Sequence, residues 1–136
     1  MVQVRAHIRT GFEVSLLSDD SCSAKIWFSP SGTTYITFNN RTTPKRPALV
    51  VRQDAEYRKM NDFLNGDYNP KNGTWVIYSV TATVTGRFDH VSKAGLDAKV
   101  KIVTGFGHLN SYESQLVLES VSDVAAVPRH RLRISK

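Results

Sequence analysis

Residues 53–88 read QDAEYRKMNDFLNGDYNPKNGTWVIYSVTATVTGRF, and the change of period inside this stretch decides the fold. From Gln53 to Leu64, the residues Tyr57, Met60, Phe63 and Leu64 fall on one helical stripe. Asp54 and Arg58 lie four apart on the polar side, and Asn65-Gly66 supplies a helix stop. Asp67 to Gly73 reads as a loop. From Trp75 the period drops to two: Val76, Tyr78, Val80, Ala82 and Val84 alternate with Ile77, Ser79, Thr81 and Thr83. One helix is thus followed at once by the strongest strand of the chain.

Working outward, Val2, Val4, Ala6 and Ile8 alternate with Gln3, Arg5, His7 and Arg9, the pattern of a half-buried strand. Thr10-Gly11 interrupts it, and Phe12, Val14 and Leu16 resume it as a second strand or a bent continuation. A turn at Ser18-Asp19-Asp20-Ser21 leads to a third strand at 24–28. Thr33 to Phe38 reads as a short strand, and Asn39 to Pro47 as an exposed loop twice interrupted by proline. After the long strand comes a connection over 89–114, then a last strand at 115–124. The order β-β-β-α-β-β predicts an all-β fold with one helix: a small OB-fold-like antiparallel β-barrel, its helix plugging the lower end. We expect a single domain over 1–127, with an inserted hairpin or loop at about 30–50 and the helix at about 53–65. Residues 128–136 read as a basic C-terminal tail.

The bulk numbers agree with one ordinary globular domain. A chain of 136 residues buries roughly two-thirds of its unfolded surface, enough to fold without disulfides or metals. Cys22 is the only cysteine, so no intramolecular disulfide and no cysteine-based zinc site can form. The formal charge of +6 favours anionic partners such as nucleic acid, although a solvated basic surface gives the same figure. No apolar run reaches the length of a membrane-spanning helix. Alternation begins at Val2 with no apolar leader region, so the sequence reads as lacking a signal peptide and cytoplasmic by default.

Five pieces carry a family likeness: VRAHIRTGFE at 4–13, KIWF at 25–28, VTGRF at 84–88, GFGHLNSY at 105–112 and QLVLESV at 115–121. In that order they resemble a loose group of small bacterial proteins with OB-like barrels and a GFGHLxxY loop before the last strand. The likeness covers about half the chain and implies a fold rather than an activity. Many members are exported behind an N-terminal signal. This sequence departs in lacking that signal and in carrying an extended stretch from Val91 to Lys101.

The glycine-histidine loop is the first candidate site. Phe106, His108 and Tyr112 could stack a base or a sugar ring, since an exposed aromatic face accepts any planar partner. The competing reading is structural: both glycines permit a tight reversal while Phe106 and Leu109 anchor the loop. The second candidate is a basic track from Arg41, Lys45 and Arg46 together with Arg129, Arg131 and Arg133, in two segments that could follow a phosphate backbone. Solvated loops are the alternative, and alternation through 129–134 equally suits an edge strand. Of the aromatic residues, Trp27 or Trp75 on the outside would offer a stacking platform, whereas core packing explains most of them.

Catalytic signals are weak. His7, His90, His108 and His130 are dispersed, with only His90 and His108 placed where a loop could bring them together. No G-x-S-x-G elbow or Walker pattern occurs, and Asp19-Asp20 suits a capped turn. The sequence therefore predicts no cofactor and no enzyme. It points to a binding module for a protein or other macromolecule through the loop face, with single-stranded nucleic acid as the alternative ligand. A metal-dependent module or enzyme is the third reading.

Overall fold

The computed structural model describes residues 1–11, 14–30 and 46–133. The expected strand at 33–38 lies outside the described residues, as do Arg41 and Lys45. The described strands are β1 (Val2–Gly11), β2 (Val14–Asp19), β3 (Cys22–Ser29), β4 (Asp67–Asn69), β5 (Thr74–His90) and β6 (Ser114–Arg133). Two α-helices accompany them, α1 (Ala55–Asn65) and α2 (Ala98–Val103).

The strands form one sheet in the order β1-β2-β3-β6-β5-β4, and a further pairing of β1 with β5 closes five of them into a ring. Closure runs in antiparallel register from Val2 opposite Gly86 to Ile8 opposite Val80. One pairing corrects the antiparallel expectation: β3 meets β6 in parallel, with Trp27 opposite Gln115 and Ser29 opposite Val117. Parallel neighbours need a crossover rather than a hairpin, and here the chain between them includes α1 and β5.

Alternation places the core as the sequence implies. Ala6 and Ile8 of β1, Leu17 of β2, Phe28 of β3 and Val80, Ala82 and Val84 of β5 are buried in one cluster with Leu116, Leu118 and Val121 of β6. Each large side chain in this cluster contributes on the order of 1.5–3 kcal/mol of transfer free energy. Helix α1 covers one end of the cluster. Met60 is fully buried there, and Tyr57, Phe63 and Leu64 pack against the core from the same stripe. Asp54, read as half of a polar pair, is instead the N-cap: its side chain accepts the Tyr57 N–H at 3.0 Å. Gly66 ends the helix at φ 76°, where a Cβ would lie 2.5 Å from the Trp75 indole nitrogen and 2.6 Å from the Val76 carbonyl. The Asp19 turn also follows its reading: the Asp19 carboxylate accepts the Ser21 hydroxyl and backbone N–H, and these bonds hold its acid below the usual range.

Three elements differ from expectation. Residues Asp67–Asn69 form β4 because β5 offers them a partner, with Asp67 opposite Val76 and Tyr68 opposite Trp75. A second helix, α2, begins at Asp97, whose side chain accepts the Val100 N–H at 3.0 Å. The last strand continues beyond Val124 to Arg133, so most of the expected tail is paired with β5 as far as Thr74 opposite Arg133.

A bulge joins helix to sheet. Thr81 lies opposite Ala125 and Thr83 opposite Ser122, so Asp123 and Val124 drop out of the ladder, with Asp123 at φ 50°. The freed Val124 N–H donates to the Glu56 carboxylate of α1 at 3.0 Å, and the Asp123 carbonyl accepts from Arg5 at 2.9 Å. Losing one acceptor here leaves a backbone donor without its partner. Glu56→Ala is therefore expected to lower unfolding stability by about 1–2 kcal/mol, while Glu56→Gln keeps most of it. Denaturant unfolding measures both. Equal stability of wild type and Glu56→Ala would refute the clamp.

Candidate functional site

The glycine-histidine loop folds back onto the outside of the ring. Along β3, Phe28 points into the core and Trp27 points outward, beside Leu16 of β2, its partner across the ladder. Trp27 is nevertheless buried, as are Leu16 and Phe106, in a second cluster with Val14, Val91 and Tyr112 packed at its margin. The covering material is the loop itself. Phe106 and Tyr112 bridge through two backbone bonds, Phe106 N–H to the Tyr112 carbonyl at 2.7 Å and Tyr112 N–H to the Phe106 carbonyl at 3.1 Å. The Tyr112 ring then lies 5.4 Å from the Trp27 ring, tilted by 41°.

Gly107 explains why a glycine stands here. Its φ is +72°, and a Cβ would sit 2.3 Å from the Trp27 ring, so any side chain would lift the loop off the sheet. Leu109 follows within a short 3-10 turn, His108–Asn110, at φ 53° and ψ 27°. This left-handed conformation is uncommon for leucine. Its side chain is 53% exposed.

These positions divide the loop residues. Phe106, at 1% exposure, is a packing anchor and presents no face to a ligand. Leu109, expected as the other anchor, points to solvent instead. Tyr112 is half-buried and spends one face on Trp27, and His108 is half-buried in the turn. The outer surface of this region is then Leu109, His108 and the exposed face of α2, where Ile102 is 69% exposed beside exposed Lys99 and Lys101.

The basic residues are elsewhere. Arg129, Arg131 and Arg133 are exposed at the far end of β6 from the loop, opposite the start of β5. Arg46 is exposed near the helix entry, while Arg41 and Lys45 fall outside the described residues. His90 bonds through Nδ1 to the Ser114 hydroxyl at 2.7 Å and stacks on Phe88 with centroids 6.3 Å apart. Among the described residues, no group of three or more His, Cys, Asp or Glu could hold a metal ion. Trp75 is 38% exposed, but its indole N–H donates to the Asn65 carbonyl at 3.2 Å and its ring leans on Gly66.

Sequence reasoning passed over a buried polar chain near the loop. Gln115, opposite Trp27 in the ladder, is wholly buried and donates to Asp89 at 2.9 Å. Asp89 pairs with the Arg87 guanidinium at 3.0 Å, and Arg87 donates to the Pro47 carbonyl at 2.7 Å. An ion pair at this depth offsets the desolvation of Asp89 only because Gln115 adds a further donor. The one sequence signal was a glutamine directly before the apolar run Leu116-Val117-Leu118.

No protein-family model, no curated protein and no solved structure matches the chain.

An anchoring role for Phe106 has a measurable consequence. Phe106→Ala is expected to cost about 3 kcal/mol in unfolding stability, because it opens a cavity above Trp27. It should also shift tryptophan emission to the red as Trp27 becomes wetted. A Phe106 that served only to stack a ligand would leave both readouts unchanged.

Proposed function

We propose that the five-strand ring is an OB-type barrel, of the kind seen in the small bacterial proteins that the loop sequence resembles. We propose further that it works as a non-enzymatic interaction module. Support for the barrel comes from α1, which follows the third strand of the ring, precedes the strand that closes on β1, and caps the core with Met60. OB folds commonly bind oligonucleotides or oligosaccharides on the face of strands two and three. In this chain that region carries Trp27 and Leu16, and the loop already covers it.

The contact surface is instead the outside of the loop. Leu109 carries this reading: a left-handed leucine costs about 1–2 kcal/mol, and the residue held there is left 53% exposed. Phe106 and Gly107 pack against Trp27 directly before this leucine, so it stands on a closely packed base. Ile102 on the neighbouring helix α2 is a second exposed apolar residue, with Lys99 and Lys101 exposed on the same helix. Exposed apolar residues with lysines nearby suit a macromolecular partner bearing acidic groups.

Leu109→Gly separates the two costs. Glycine accepts the left-handed backbone freely, so this variant should match or exceed wild type in thermal midpoint. It should lose the partners that the wild type enriches from an extract of its own source, as quantified by mass spectrometry. Identical enrichment by both proteins would sink the proposal.

A second reading, single-stranded nucleic-acid binding, rests on exposed Arg129, Arg131 and Arg133. It requires oligonucleotide anisotropy that falls steeply with salt and weakens when these arginines are neutralised. Salt-independent or absent binding removes it.

A further inference from the structure

The ladder that closes the ring stops early. The pairing of β1 with β5 ends at Ile8 opposite Val80, yet β1 continues to Gly11 along β2 and β5 extends back to Thr74 along β6. Between the diverging strands lies a cleft of about 410 Å³. That volume falls within the roughly 300–1,000 Å³ range of small-molecule sites. Its apolar side is Ile8, Leu64 and Ile77, with Ile8 buried in the core.

Two arginines line the cleft, and a bulge provides the second. Arg9 comes from the stretch of β1 that pairs with β2 but has passed the end of the β5 ladder. On β6, His130 lies opposite Ile77 and Pro128 opposite Tyr78, so Arg129 is the extra residue, free of the ladder and lining the cleft. Among the described residues neither Arg9 nor Arg129 has a carboxylate partner. Asp20 also lines the cleft, its carboxylate 3.6 Å from His7 Nε2. Tyr78 also lines the cleft, but its hydroxyl is committed to Asp67, which pushes its phenol above the usual tyrosine range. Thr10, Ser18 and Ser79 add hydroxyl donors.

We propose that this cleft binds a small phosphate monoester with an apolar body, its dianionic head on Arg9 and Arg129 and its body against Ile8, Leu64 and Ile77. The two arginines outnumber the single Asp20 carboxylate at the cleft, which favours an anionic head, and a phosphate offers three terminal oxygens to two forks where a carboxylate offers only two. The planar fork of each guanidinium suits paired phosphate oxygens.

The test is a ¹H–¹⁵N titration of the full chain at about 150 mM salt, where long-range attraction is screened. The probes are adenosine monophosphate, phenyl phosphate, benzoate and adenosine. We expect saturable shifts at the Arg9, Thr10, Ser79 and Arg129 amides with one or both phosphate esters, and none at these positions with adenosine. A nucleotide site responds to the adenosine ester alone, and a general phosphate-ester site to both. Arg9→Gln and Arg129→Gln should each weaken binding about tenfold without moving the thermal midpoint. Lys71→Gln, outside the cleft lining, should leave the affinity unchanged. The proposal is overturned if neither ester saturates, if benzoate or adenosine binds as well as the esters, or if the shifts centre on Arg131 and Arg133.

Discussion

Everything in this molecule hangs on the short ladder between Val2–Ile8 and Val80–Gly86. It turns a meander with two open edges into a ring whose inner faces need only one another. Because it uses just part of β5, it also fixes what lies outside the ring. The remaining length of β5 must find other partners, and it finds β4 and the end of β6. The cleft, the basic arginines and the exposed aromatic residues Tyr68 and Trp75 all belong to this surplus length rather than to the ring.

The outside of the ring is governed by a different constraint. A tryptophan that points away from the core should be wet, yet Trp27 is dry, because the loop around Phe106 lies over it. The layer this makes is thin but firmly set, with two backbone bonds between Phe106 and Tyr112 and no room for a side chain at position 107. The outer face of β2 and β3 at Leu16 and Trp27 is thereby closed, and the loop forms a platform above it. Leu109 stands on that platform, with Ile102 on the neighbouring helix.

The parts of the fold legible in the sequence were those in which one face is buried and the other wet. β1, the centre of β5 and helix α1 announce themselves by alternation or by a stripe, and their buried residues are those the pattern selects. Legibility failed where partners rather than side chains decide. Asp67–Asn69 is polar and exposed throughout, and only the adjacent β5 makes it a strand. Helix α2 buries nothing, so its sequence has no stripe to display. Pro128 and the arginines beyond it suggested a tail because this end of β6 is exposed throughout, so its alternation marks no buried face. The site suffered from the same limit: alternation sets Trp27 and Phe28 on opposite faces, but says neither which one is inside nor that the outer face is covered. The glycines of the loop were visible from the start. What they make room for, an indole ring, was not.

The parallel meeting of β3 and β6 carries a consequence for how the chain reaches this state. A chain made from its N-terminus produces β1, β2 and β3 first, but the outer edge of β1 waits for β5 and the outer edge of β3 waits for β6. Contacts of such long sequence separation make folding slow, since a large loop must close before they form. Until β6 is complete, the three early strands have two unprotected edges and half of a core. Fragments ending before β6 would therefore be sticky rather than merely unfolded, and the last strand, which supplies Leu116, Leu118 and Val121, acts as the latch of the whole assembly.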